Sequence, residues 1–181
     1  MSGCYSSFTS YTIMATQNRE KIWESMEEYK LFLEPDDKGW DILEIGIDGD
    51  DKPSGNFKYF GKGNNWKTLD FLASLQPDIV ADITNNDLPD NQWDLVICSQ
   101  VLEHIFNFPK CITEIFRILK KGGYAIIDCP FEFPYHGLPV YDDYWRISVK
   151  AMVQLCINAG FTIIKSKMNI PLTTVLIQKP L

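Results

Sequence analysis

Three residues of this chain stand where a nucleoside could be held: Gly46, Asp70 and Asp82. Each closes a short stretch that reads as a buried strand: Asp41-Ile-Leu-Glu-Ile-Gly46, Lys67-Thr-Leu-Asp70 and Asp78-Ile-Val-Ala-Asp82. Ligands of open parallel sheets sit outside the carboxyl ends of the strands. A glycine at the first strand end lets the backbone approach the ligand. A carboxylate about 20 residues later accepts hydrogen bonds from ribose hydroxyls. Asp70 follows Gly46 by 24 residues, and Asp82 comes 12 residues after that, where a third strand end can meet an adenine. Capping of the next turn is the competing role for both aspartates.

A second group lies after the fifth expected strand. His136, with an unperturbed pKa of about 6.5, can take a proton near neutrality; its alternative role is to fix a proline-rich loop. Asp143-Tyr-Trp-Arg146 offers aromatic walls and a guanidinium fork. Arg146 can clamp an anionic or sugar acceptor, or pair with Asp143 to hold the loop over the sheet. His104 reads as a partly buried histidine bonded to backbone, and Trp23 and Trp93 as core. Asp94 opens a strand at the end away from the cleft and reads as structural.

These residues need a sheet to position them. A helix is expected from about Asn18 to Leu33, with Ile22, Trp23, Met26, Tyr29 and Leu33 on one face. Strands are expected near 41–46, 67–70, 78–82, 93–99, 124–128, 161–165 and 173–178. The segment 47–55 is too rich in turn residues for a long helix. Asn107 and Pro109 start a helix with an apolar stripe of Ile112, Ile115, Phe116 and Leu119. Ser148 caps another, which Gly160 closes. Strands alternating with helices give an α/β fold, a mostly parallel sheet with helices on both faces.

The 181 residues are 45% hydrophobic and 23% charged, the balance of one globular domain. Residues 1–17 read as a flexible leader ahead of a single domain over 18–181. A net charge of −7 argues against bulk nucleic acid as a partner, since phosphate binding needs a basic footprint. The five cysteines include no Cys-x-x-Cys pair, and four lie in apolar stretches. That points to a reducing, cytoplasmic setting without disulfides. Only two histidines are present and no ligand spacing appears, so no metal is expected. No signal-peptide pattern and no membrane-spanning apolar run is present, so no membrane association is expected.

Five segments, in order, resemble motifs of the class I S-adenosylmethionine-dependent methyltransferases. They are Glu44-Ile-Gly46, Lys67-Thr-Leu-Asp70, Asp78-Ile-Val-Ala-Asp82-Ile83, the run from Leu88 to His104, and Ile115-Phe-Arg-Ile-Leu-Lys-Lys-Gly-Gly123. With its His136-Gly137 and Asp143-Tyr-Trp-Arg146 loop, the chain is similar to a small branch of that family over about residues 40–165. The resemblance implies a Rossmann-like, seven-stranded sheet with the last strand antiparallel, and S-adenosylmethionine as cofactor. It implies that Gly46 packs near the methionine part and that Glu44 organises the loop and the amino group. Asp70 would take the ribose hydroxyls, Asp82 and the Ile83 N–H the adenine, and Ser99 would line the methyl donor. The family's usual second and third glycines are replaced by Asp48 and Asp50. Asp48 and Gly49 are expected in a shifted loop around the cofactor's ammonium group.

Methyl transfer from a sulfonium is an in-line displacement, so a protein mainly has to align the reactants. A hydroxyl acceptor gains from a general base. His136, Asp143 and Arg146 are the candidate catalytic residues, and a small molecule such as a sugar or glycan precursor is the expected acceptor. Two other readings stay open. One is a methyltransferase-like domain without catalysis that binds or regulates. The other is a nicotinamide-dependent oxidoreductase, against which stands the lack of any Tyr-x-x-x-Lys pair. The pocket is left to be completed by residues 1–38 or by a second subunit, so a homo-oligomer also fits.

Overall fold

The computed structural model describes residues 5–47, 55–137 and 141–181. Seven strands form one sheet: β1 (Asp41–Ile45), β2 (Asn65–Asp70), β3 (Ile79–Val80), β4 (Trp93–Ser99), β5 (Leu119–Pro130), β6 (Thr162–Asn169) and β7 (Leu172–Gln178). Their order across the sheet is β3-β2-β1-β4-β5-β7-β6. β1 to β5 run parallel, and β7 lies antiparallel to both β5 and β6. Four α-helices accompany them: α1 (Tyr5–Leu33), α2 (Phe57–Phe60), α3 (Phe108–Ile118) and α4 (Val149–Asn158). The chain reverses direction across the sheet between β1 and β4, which places a crevice at their carboxyl ends.

Strand alternation sends side chains to two separate cores. Ile42, Leu95, Ile97, Ile126 and Leu176 face α1 and α2, meeting Met26, Tyr29, Leu33 and Phe60. Leu43, Ile45, Val96, Cys98, Ala125 and Ile127 face α3 and α4, meeting Cys111, Ile112, Ile115, Met152 and Cys156. Both faces of the central strands are therefore dry, as their near-continuous apolar runs require. Ser148 caps α4 by accepting from the Ala151 N–H.

Several elements differ from the sequence expectation. α1 begins at Tyr5 rather than near Asn18; no glycine or proline interrupts residues 5–33, so nothing stops the helix earlier. Trp23, expected in the core, is 38% exposed, and the Lys58 ammonium lies 4.3 Å from its ring centre. β3 has only two residues. β5 starts at Leu119 rather than Tyr124, because the buried Lys179 ammonium gathers the carbonyls of Arg117 and Leu119 beside the strand. Asp94 is structural, as expected: with Asp41 it holds Lys120 at the amino end of the sheet.

Candidate active site

A cleft of about 660 Å³ opens at the carboxyl ends of β1, β2 and β4. Its floor includes Gly46, Asp70, Asp82, Ile83 and Ser99. Those expected ligand-holding positions therefore converge, as strand-end residues of one sheet must. Asp48, Gly49 and Asp50 lie outside the described residues.

Gly46 has φ +77°, a conformation that favours glycine. A Cβ there would come within 2.3 Å of Val101 Cγ2. Its N–H donates to the Leu69 carbonyl, which brings β1 and β2 together at the cleft. Asp70 is 8% exposed. Its Oδ2 accepts from the Ile47 N–H at 3.1 Å and its Oδ1 from the Leu72 N–H at 2.8 Å. Asp82 is exposed, and its Oδ1 accepts from the Thr84 N–H and hydroxyl, both at 2.8 Å. The turn-capping role is thus real for both aspartates, and both still line the cleft. Glu44 is buried beneath it, accepting from Asn56 Nδ2 at 2.8 Å.

Ser99 donates its hydroxyl to Asp128 Oδ1 at 3.0 Å, and Gln100 Nε2 donates to the same oxygen at 2.6 Å. Asp128 is buried at the end of β5. Burial pushes its carboxyl pKa up to about 7, against the lowering effect of Gln100 and Ser99. Sequence reading missed Asp128, although its place at a strand end was the available signal. Arg19 and Ile22 reach the cleft from α1; Ile22 belongs to the helix's apolar face, and no sequence pattern marks Arg19.

The loop after β5 forms the far wall. Phe133, His136 and Tyr141 line the cleft; Asp143 and Arg146 stand behind them. Arg146 Nη1 and Nη2 donate to the Asp143 carboxylate at 2.5 and 2.6 Å. The same guanidinium donates to the carbonyls of Phe133, Pro134 and Trp145. This is the geometry of the internal pair that holds the loop. Partial burial works to raise the Asp143 pKa, but Arg146 and the His136 N–H outweigh it and hold it at about 2. Burial also works to lower the His136 pKa. Glu103, the Pro134 carbonyl and Asp143 outweigh that, so it lies above the ordinary value.

His104 meets the backbone as expected, its Nδ1 lying 2.6 Å from the Asp142 carbonyl. The Tyr144 N–H also donates to the Glu103 carbonyl at 2.7 Å, which ties the loop to the short turn Leu102–His104. The two histidines, 32 residues apart in sequence, therefore meet over the buried Glu103, their rings 4.9 Å apart. Spacing along the chain gave no metal-ligand pattern, yet folding gathers Glu103, His104 and His136 within 4.8 Å.

Residues 44–127 match the methyltransferase domain family. The matched segment runs from the end of β1 through β2, β3 and β4 and carries Gly46, Asp70, Asp82, Ile83 and Ser99. The match covers 84 of the 181 residues. One relative, from Mycolicibacterium smegmatis and named "Probable S-adenosylmethionine-dependent methyltransferase/", is 29% identical over 80 residues, 42% of this chain and 31% of that protein. The curated relatives are longer, and the matches span 21% and 31% of their lengths. Among solved structures, an S-adenosylmethionine-dependent methyltransferase from Mesorhizobium loti superposes with a TM-score of 0.64 at 13% identity, covering 84% of this chain and 96% of that one. The 1,6-didemethyltoxoflavin-N1-methyltransferase of Burkholderia thailandensis, bound to its substrate and S-adenosylhomocysteine, superposes with a TM-score of 0.64 at 14% identity, covering 97% and 86%. These structures share the fold. No described helix is long and apolar enough to cross a membrane.

Proposed function

We propose that this chain is an S-adenosylmethionine-dependent methyltransferase acting on a small-molecule acceptor. Asp70 is the observation that carries this reading. Its largely buried carboxylate is fixed by two backbone N–H groups beside a glycine whose Cβ would clash with Val101. The cleft is of ligand-pocket size. S-adenosylmethionine, when bound, supplies a methyl group already activated on a sulfonium.

The chain's own residues do the rest. Asp70 accepts from ribose hydroxyls, and Asp82 with the Ile83 N–H takes the adenine edge. Leu72, Ala81 and Ile83 offer apolar walls to the base. Glu44 supports the loop after β1, where Asp48 and Gly49 are proposed to meet the amino-acid end. Ser99 lines the centre of the cleft. His136 is the proposed general base for a hydroxyl acceptor, since it faces the cleft. Asp143 and Arg146 position it.

A sugar or glycan precursor is the favoured acceptor class, on family analogy. Cys98, Cys111, Cys129 and Cys156 are free and buried, which supports a reducing, cytoplasmic setting. The test is incubation of the full chain with radiolabelled S-adenosylmethionine and a panel of hydroxylated sugars. Labelled sugar is expected. Retention of label by the protein without transfer to any acceptor would favour the inert binding domain.

A further inference from the structure

Glu103 is fully buried, and neither of its carboxylate oxygens has a hydrogen-bond partner. A buried carboxylate without compensation is costly. Two imidazole nitrogens face it: Oε1 lies 3.7 Å from His104 Nε2 and 3.8 Å from His136 Nε2. Those separations are too long for hydrogen bonds.

The other ring nitrogens explain the orientation. His104 Nδ1 lies against the Asp142 carbonyl at 2.6 Å. His136 Nδ1 faces Asp143 Oδ2 at 3.0 Å and the Pro134 carbonyl at 3.2 Å. Arg146 Nη2, a donor, lies farther from His136 Nδ1, at 3.4 Å; the closer acceptors at both Nδ1 atoms assign the proton there, so each neutral ring turns an Nε2 lone pair toward Glu103. Two lone pairs and a carboxylate then converge. Ligating histidines show this same arrangement, with the second nitrogen bonded to a carbonyl or carboxylate.

We propose that Glu103, His104 and His136 bind a divalent first-row transition-metal ion. Metal–ligand distances of about 2.1 Å require ligand atoms roughly 3.0–3.4 Å apart. The two Glu103–histidine separations, 3.7 and 3.8 Å, close with a movement of a few tenths of an ångström, and all three ligand atoms lie within 4.8 Å of one another. Two imidazoles and one carboxylate, with no sulfur, suit manganese, iron, cobalt or zinc and leave further positions open for oxygen donors. All three residues line the cleft that holds Asp70.

The binding itself does not depend on methyl transfer. Its use rests on the methyltransferase reading: an ion here would lower the pKa of an acceptor hydroxyl. His136 acts as base only in the metal-free protein; once an ion occupies Nε2 it would acidify the acceptor hydroxyl, whose proton leaves to solvent water.

The test strips the full chain with chelator and titrates it with Mn2+, followed by electron paramagnetic resonance, and with Co2+, followed by absorption. One ion per chain is expected, with a rise in melting temperature and cobalt bands free of thiolate charge transfer. Glu103→Gln and His104→Ala should each weaken binding roughly 100-fold or more, in protein whose circular dichroism matches the parent. If Glu103→Gln does not fold, His136→Ala joins His104→Ala as the second variant. Failure to take up Mn2+ or Co2+ at millimolar concentration, or uptake unchanged in the folded variants, overturns the site. Cofactor binding, measured separately, can fail or succeed without altering that result.

Discussion

Asp143 grips His136 at two points of one residue: its Oδ2 accepts the His136 N–H at 2.8 Å and lies 3.0 Å from the ring Nδ1. Arg146 holds the same carboxylate from the other side. The result is a histidine with a fixed ring, and Glu103, the Pro134 carbonyl and Asp143 together raise its pKa above the ordinary value against the lowering effect of burial. In metal-free protein, the His136 ring should titrate by NMR above the ordinary histidine value. Asp143→Asn removes a negative neighbour, so it should move that titration to lower pH. A titration that does not move would separate Asp143 from the electrostatics of the base.

Gly46→Ala should destabilise the fold by roughly 1–3 kcal/mol, from the positive φ alone. The clash with Val101 adds to this. In a Val101→Ala background the cost of Gly46→Ala should shrink without vanishing, because truncation removes the clashing methyl but leaves the backbone strain. Urea unfolding of the four proteins measures the coupling.

Asp128 gives a pH signature opposite to that of an ordinary paired carboxylate. Its pKa is raised to about 7 in the folded chain, against 3.8 as its reference value. Between those limits the native state holds a proton that the unfolded state has released. The stability contribution is thus full below about pH 4 and lost as pH rises through 7. Asp128→Asn removes this dependence. Relative to wild type, the variant should gain stability on the order of 4 kcal/mol from pH 4 to pH 8. Melting temperatures of the two proteins across that range check the sign, and a constant difference would contradict it.

Much of the scaffold is legible in the sequence because the central strands are buried on both faces and bounded by turn residues. Trp93–Ser99 and the α4 helix from Ser148 illustrate this, since period and cap agree. Where tertiary contacts decide, local signals fail. Lys179 sets where β5 begins, and Trp23 is turned outward over Lys58. The site divides in the same way. Gly46, Asp70, Asp82 and Ser99 share a cleft because strand ends of one sheet must. The meeting of His104 with His136 depends on a loop folding back through Tyr144 and Asp142, which no spacing rule encodes.

The central claim is that Asp70 holds the ribose of S-adenosylmethionine in this cleft. Isothermal titration of S-adenosylhomocysteine into the full chain and into Asp70→Ala tests it most directly. Wild type should bind one equivalent. The variant, with unchanged circular dichroism, should lose at least 10-fold in affinity, the loss of about 1.4 kcal/mol expected for hydrogen bonds to a charged group. Equal affinity in the two proteins would place the nucleoside elsewhere and contradict the assignment.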